Sequence, residues 1–411
     1  MKKNTFVYKF SFLAVMILIA ATGCHRETLV QYVPREDLFT ISYGKFEDQL
    51  IFDNMEYLGE VKPATLYMQD GFFYILSSVS KKVMQFNSYG DLLGIYYNPD
   101  TNPAPVFLGE DNNSSPDAGS EEVSLTTRKA VPYSFNLPEM MAVNSDKEFF
   151  IVDRVPQDRQ VLDPDYRILL NDVVLRFSPQ GEFIDYLGQE GQGGTPFPMI
   201  KSIHTNSSKD IIVVGQISQG VVVFWFDKNG TLLYKIPVYE KNLPNPYNGT
   251  DKQISMILES VIPDVNREVL FVKVDYFESK NDPDTNVNLG LAFSGSFIFE
   301  FSIKEAKFTE QYRIPAYIEE GLNNSQMQRP YEFLGISDTG ILYFITPIDE
   351  GYGVLLYETG SGRSFRSALS VDDDENVFQN VFLSDDGIIC ALLSSSYQTK
   401  VAWWRTDTLM K

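Results

Sequence analysis

Oxygen-bearing side chains are the most abundant chemical resource in this chain: Asp and Glu total 55, Lys and Arg 34, and there are two His. Asp282, Asp284, Asn286 and Asn288 occupy alternate positions of the segment NDPDTNVN, a spacing at which oxygen ligands can meet a calcium ion. The Gly and the distant Glu of an EF-hand loop are not in place, and Asn and Asp also favour turns on their own account. Asp372, Asp373, Asp374 and Glu375 form a second acidic run, which reads as a solvated loop. Gly188, Gly191, Gly193 and Gly194 lead into Thr195-Pro196-Phe197-Pro198. A phosphate-cradling loop precedes a helix and ends in Gly-Lys-Ser/Thr; here a strand follows and the Lys is missing, so the glycines read as a close crossing of the chain. Cys390, in the apolar run 388–392, reads as a small buried hydrophobe. His25 and His204 are too few for a His-based metal site, and no G-x-S-x-G, H-E-x-x-H or C-x-x-C occurs. No catalytic pair, metal set or cofactor site can be assigned on these grounds.

Cys24 carries a more specific expectation. Lys2, Lys3 and Lys9 precede a short apolar run from Phe10 to Ala21, which ends in Ala21-Thr22-Gly23-Cys24. That order of basic flank, apolar core and small residues is a secretory signal, and its core is too short to span a bilayer. Small residues directly before a Cys resemble the bacterial lipobox, in which the thiol is lipidated and the Cys becomes the new N-terminus. Ala21 stands where that motif more often has Leu. His25 rather than Asp after the Cys favours the outer membrane. The expected organisation is a lipoprotein signal peptide over 1–23, a tether over 24–37 and a folded body over 38–411. Loss of three signal lysines takes the formal charge from −21 to −24. Such charge excludes nucleic acid as a partner and electrostatic adhesion to anionic lipid.

The elements that must position any site are short strands in repeat. Runs rich in aromatic and β-branched residues each follow a polar turn: FFYILS after Asp70-Gly71, EFFIVD after Asp146-Lys147, IIVVG after Lys209-Asp210, VLFVKV after Arg267-Glu268, ILYFIT after Thr339-Gly340, IICALL after Asp386-Gly387. A strand precedes each turn, and one or two follow. The pattern predicts an all-β chain of four-stranded antiparallel units, a six-bladed β-propeller. The last repeat has three strands and ends at VAWWRT, so the stretch from Leu38 to Ser42 is expected to supply its fourth and close the ring. Trp403 and Trp404, adjacent on that last strand, must face opposite sides.

With strands lettered A to D from the channel outward, A–B and C–D turns share one face, and B–C and D–A connections share the other. The first set is short. The second holds all the long segments: 98–136, 154–172, 188–198, 239–253, 276–294 and 316–330. One face is therefore plain and the other elaborated, and recognition is expected on the latter. Segment 109–122, acidic and poor in apolar residues, reads as a spacer.

The stretch GQEGQGGTPFPMIKSI resembles the Gly-rich lead into a blade of NHL-type six-bladed propellers. SYGKFEDQL, DGFFYILSSVSKKVMQFNSYGDLLGIYYNPDTNPAP and LGQEGQGGTPFPMI together resemble a family of spirochaetal envelope lipoproteins. The resemblance implies an envelope lipoprotein and no particular chemistry; the anchor at Cys24, the repeats, the one-sided loops and the absence of catalytic signatures together lead to the expectation of a binding or scaffold protein at the outer membrane, facing the periplasm, with a protein partner and no cofactor. In architecture the chain is also similar to the eight-bladed propeller lipoprotein of the outer-membrane barrel-assembly machine, which implies an assembly role. A different class of function is a calcium-dependent propeller hydrolase of lactones or esters, for which Glu259, Asn144 and Asn380 are the inner-strand polar candidates. A surface-exposed adhesin is a third reading.

Overall fold

The computed structural model describes residues 32–52, 62–106, 128–164, 166–188, 196–282, 284–285, 287–320, 326–375 and 377–410. Six antiparallel sheets stand around an axis, each with its first strand innermost. Strand β1 (Arg35–Ser42) belongs to the last of them. Blade 1 consists of β2 (Ala64–Gln69), β3 (Phe72–Ser77), β4 (Lys82–Phe86) and β5 (Leu92–Tyr97), with β6 (Lys129–Pro132) added in parallel outside β5. Blade 2 has β7 (Pro138–Val143), β8 (Phe149–Arg154), β10 (Ile168–Phe177) and β11 (Phe183–Tyr186); short strands β9 (Val161–Asp163) and β12 (Phe197–Pro198) pair with β10. Blade 3 has β13 (Ile200–Thr205), β14 (Ile211–Ile217), β15 (Gly220–Phe226) and β16 (Leu232–Tyr239). Blade 4 has β17 (Ile254–Pro263), β18 (Val269–Asn281), β19 (Asn288–Ser302) and β20 (Lys307–Ile314), followed by a separate hairpin of β21 (Tyr317–Glu320) and β22 (Gln326–Arg329). Blade 5 has β23 (Glu332–Ile336), β24 (Ile341–Ile348), β25 (Gly351–Glu358) and β26 (Ser364–Ser370). Blade 6 has β27 (Phe378–Leu383), β28 (Ile389–Ser394) and β29 (Gln398–Trp404), and β1 pairs antiparallel with β29 as its outer strand. The chain is an all-β six-bladed propeller closed by its N-terminal strand.

The turns explain themselves locally. Asn87, Asn144, Ser178, Asn206, Asp227, Ser337 and Ser384 each open a short turn and accept a backbone N–H from four residues on. The residue before that donor is left-handed: Gly90, Gly181, Gly230, Gly340 and Gly387, but Lys147 (φ 67°) and Lys209 (φ 66°) in blades 2 and 3. Those two lysines tolerate the strain where they reach the preceding blade: Lys209 Nζ lies 2.6 Å from Asp146, and Lys147 pairs with Asp70.

Closure begins earlier than Leu38 and uses two blades. Val33 donates its N–H to Ala368 of blade 5 at 2.9 Å and is buried in the core between blades 5 and 6. Arg35 then forks onto Glu375, both contacts at 2.7 Å, and Lys400 reaches the same carboxylate at 2.7 Å. Glu375, expected in a solvated loop, is buried because the closing strand needs its charge. The tryptophans face opposite sides as expected: Trp404 lies in the core between blades 5 and 6, while Trp403, partly buried, packs against Phe73 of blade 1 and donates to Glu36 at 2.9 Å.

The long segments of the elaborated face are structured more than their composition suggests. Segment 276–294 is mostly strand, because β18 and β19, 13 and 15 residues long, carry on past the ends of β17 and β20. Segment 316–330 holds the β21–β22 hairpin, and 98–136 contributes β6. No helix among the described residues is long and apolar enough to cross a membrane.

Candidate functional site

An inner propeller strand is hydrogen-bonded on one edge only, and its other edge faces the channel with unmatched backbone groups. In three places a side chain of one blade meets such a group on an adjacent blade. Asn380 Oδ1 of blade 6 accepts Leu66 N–H of blade 1 at 2.8 Å. Glu259 Oε1 of blade 4 lies 3.5 Å from Phe333 N of blade 5. Thr205 Oγ1 of blade 3 donates to Val143 C=O of blade 2 at 3.2 Å. Two of the three candidate metal ligands are therefore occupied with edge groups of different blades. The third, Asn144, sits in the A–B turn of blade 2, where its Oδ1 takes two backbone N–H groups and its Nδ2 donates to Glu148. The three do not gather around one point. Glu259 also lies 3.7 Å from the Lys273 ammonium, which rests between both oxygens of Asp275 at 2.9 and 2.8 Å.

Tyr67 of blade 1 reaches inner strands of two other blades. Tyr67 is buried, packs at a tilt against Phe382 with 4.5 Å between centroids, and brings its hydroxyl to 3.4 Å from the Thr205 hydroxyl. Among the described residues, one group of carboxylates is close enough to share an ion: Asp372, Asp374 and Glu375, on the rim, where Arg35 and Lys400 already neutralise Glu375. His204 is half-buried, with Nε2 2.9 Å from the Ser202 hydroxyl, and desolvation pulls its imidazole down to about 4, so it is neutral. Cys390 is fully buried and its thiol is pushed far up by burial, which makes it inert. Asp282 Oδ1 accepts the N–H groups of Asp284 and Thr285 and the Thr285 hydroxyl, and Asn288 accepts Gly290 N–H, so this pair shapes a hairpin turn. Gly188 has φ +72°. Cys24, His25, Asn286, Gly191, Gly193, Gly194 and segment 109–122 lie outside the described residues.

The two faces differ in chemistry. On the plain face the A–B turns are tied one to the next around the ring: Lys147 to Asp70, Lys209 to Asp146, Ser207 N–H to Val265 C=O, Asn266 Nδ2 to Asp338 C=O, and Asp338 N–H to Asp385 C=O. Beside them a cavity of about 520 Å³ between blades 4 and 5 is lined by Asp264, Glu300, Glu310 and Asp338, with Arg267 held by the first two. On the elaborated face blade 4 stands proud. Ile257, Val287, Leu289 and Leu291 on it, and Ile318 and Met327 on the adjoining hairpin, are all about half exposed or more. Between projection and hairpin runs a groove of about 310 Å³, walled by Phe293, Ile314, Pro315 and Ile318 with Arg313 and Arg366, and no carboxylate. Loop 239–253 braces its floor: Tyr247 packs on Tyr276 and donates to Ser294 C=O at 2.8 Å. A Cβ at Gly295 would come within 2.7 Å of the Tyr247 hydroxyl, so the glycine leaves room for the end of that ring. The sequence signals for this site were the alternation Val287, Leu289, Leu291, Phe293 and the two arginines, none of which the motif search weighs.

At the elaborated end of blade 2 a group of charges lies inside the protein. Glu139 pairs with Arg154, whose Nε is 3.7 Å from Asp172, and Asp172 accepts Ile200 N–H at 2.7 Å. Burial pushes Glu139 up to about 7 despite Arg154. Asp153, which accepts the N–H groups of Asn136 and Leu137, is raised by burial to about 6.

No protein-family profile and no curated protein matches the chain. Solved structures similar to it are propellers or propeller-containing proteins at low identity. The Dos1 propeller is 10% identical with TM-score 0.36, covering 82% of this chain and 78% of that one. The propeller domain of the trilobed protease from Pyrococcus furiosus is 9% identical with TM-score 0.36, covering 84% and 96%. A gluconolactonase from Xanthomonas campestris is 9% identical with TM-score 0.38, covering 91% and 97%. The likeness is one of architecture and assigns this chain no activity.

Proposed function

We propose that this chain is a lipid-anchored binding scaffold of the bacterial envelope, held through Cys24, whose elaborated face docks a protein partner over blades 4 and 5. The observation that carries this reading is the exposed apolar set on blade 4, whose β18 and β19 project on the elaborated face and frame a groove. Contiguous apolar surface of that kind marks an interaction site. The signal layout and the resemblance to spirochaetal envelope lipoproteins support placement at the outer membrane, facing the periplasm. Residues 32–33 and β1 both run from the plain towards the elaborated side, as β26 does. The anchor is thus approached from the plain side, and the elaborated face is directed away from the membrane.

Photo-crosslinking in intact cells tests the reading. A crosslinker at Leu291 or Met327 is expected to capture envelope proteins, and one at Thr359 on the plain face is not. Capture at background level from all three positions, or equally from all three, would sink it. Separately, fatty-acid labelling is expected to be lost in Cys24→Ser.

A further inference from the structure

The groove beside the blade 4 projection has a sign as well as a shape. The chain carries a formal charge of −21, yet this groove presents two guanidinium groups and no acid. Among the described residues neither Arg313 nor Arg366 meets a carboxylate. Arg366 reaches only the Ala316 carbonyl at 3.5 Å and the neighbouring Tyr331. Of the ten other arginines among the described residues, seven are paired with acids: Arg35, Arg154, Arg176, Arg267, Arg329, Arg363 and Arg405. Two arginines left open in so acidic a chain sit where an anion from outside can be bound bidentately. Phe293, Ile314, Pro315 and Ile318 give the same groove an apolar lining that accepts an aliphatic or aromatic side chain. A volume of about 310 Å³ holds a segment rather than a globular surface. The plain-face cavity, lined by four acids, would repel the same ligand.

We infer that this groove takes an extended acidic segment of a partner protein, with its carboxylates on Arg313 and Arg366 and an apolar side chain against that apolar lining. The inference rests on the docking reading above and adds the chemistry of the partner. Long-range repulsion from the rest of the chain makes the arginines a filter: only a segment that places its charges at the groove gains from them.

The test is fluorescence anisotropy with the full chain and a labelled peptide, Glu-Glu-Leu-Glu-Leu-Glu-Glu, against its counterpart with Gln at every Glu. The acidic peptide is expected to bind saturably and more tightly than the Gln peptide. Binding should weaken about tenfold in Arg313→Ala/Arg366→Ala and again at roughly 0.5 M salt. Both arginines are exposed, so an unchanged melting temperature separates lost binding from lost fold. Equal binding of the two peptides, unaltered affinity in the double variant, or no saturation by ~1 mM peptide overturns the inference. Dimerisation that the double variant abolishes, seen by sedimentation velocity, would give the groove to a second copy and overturn it as well. If crosslinks from Leu291 and Met327 persist while the peptide fails, the docking reading stands and the acidic-segment inference falls.

Discussion

Asn380 and Glu259 show how a polar residue on an inner strand can mimic a ligand residue. Each stands at the channel because a propeller leaves the edge of its first strand unpaired, and a neighbouring side chain must meet the orphaned backbone group. Leaving a buried donor unmet costs about 1–3 kcal/mol. Asn380→Ala is therefore expected to lower the unfolding free energy by about that amount in urea titration, with Leu66 amide exchange accelerated. A second consequence concerns pH. Glu139 (about 7), Asp153 (about 6) and Asp385 (about 6) all have folded values above the ordinary carboxylate range, chiefly through burial. The folded state then holds protons that the unfolded chain releases, so stability from these groups is full below about pH 4 and is lost as pH rises through 6 to 7. The urea midpoint is expected to be higher at pH 5.5 than at pH 8, and Glu139→Gln is expected to flatten that difference. A midpoint that rises with pH over this window contradicts the assignment.

At the scale of elements, the N-terminal arm and the blade 4 projection matter most. The arm is stitched to blade 5 through Val33 before β1 completes blade 6, and Glu375 gathers Arg35 and Lys400 beneath it. Removing one member of a buried charge cluster leaves the others uncompensated. Glu375→Ala is expected to cost roughly 2–3 kcal/mol and to open β1 before the other blades, seen as early proteolysis at 32–42 in a native-state pulse. Cleavage that begins in blades 1 to 4 instead would show that closure does not depend on Glu375. The projection was readable as a strand from its alternating Val287, Leu289, Leu291 and Phe293. It looks like a loop because its apolar residues face solvent and its turn is rich in Asp and Asn. Burial, not periodicity, separates a strand that completes a core from one that offers a surface.

For the whole molecule, six similar units make a rigid ring with two unlike faces. The plain face spends its short turns on ties between blades. The elaborated face carries the insertions, and among the described residues blade 4 has the longest strands, β18 and β19. This division follows from strand alternation, which sends every B–C and D–A connection to the same side. It lets one side vary in sequence without loosening the ring. The crosslinking contrast between Leu291 or Met327 and Thr359 therefore tests an asymmetry of the whole fold rather than of one loop.

By itself, the sequence determined the strand count per unit, the six units, the short turns with their Asn, Asp, Ser and Gly, and the closing strand near the N-terminus. These are local matters: alternation, β-branching and turn chemistry act over a few residues, and repetition makes them legible. Only the tertiary structure decided what the polar residues do. Asn380, Glu259 and Asn144 lie in different blades, and which backbone group each one meets depends on how blades pack around the axis. Glu375 in an acidic run and Arg313 and Arg366 in separate strands carry no motif. The first is buried because a strand from the far end of the chain lies over it, and the other two form a groove because a hairpin between blades 4 and 5 brings them to one place.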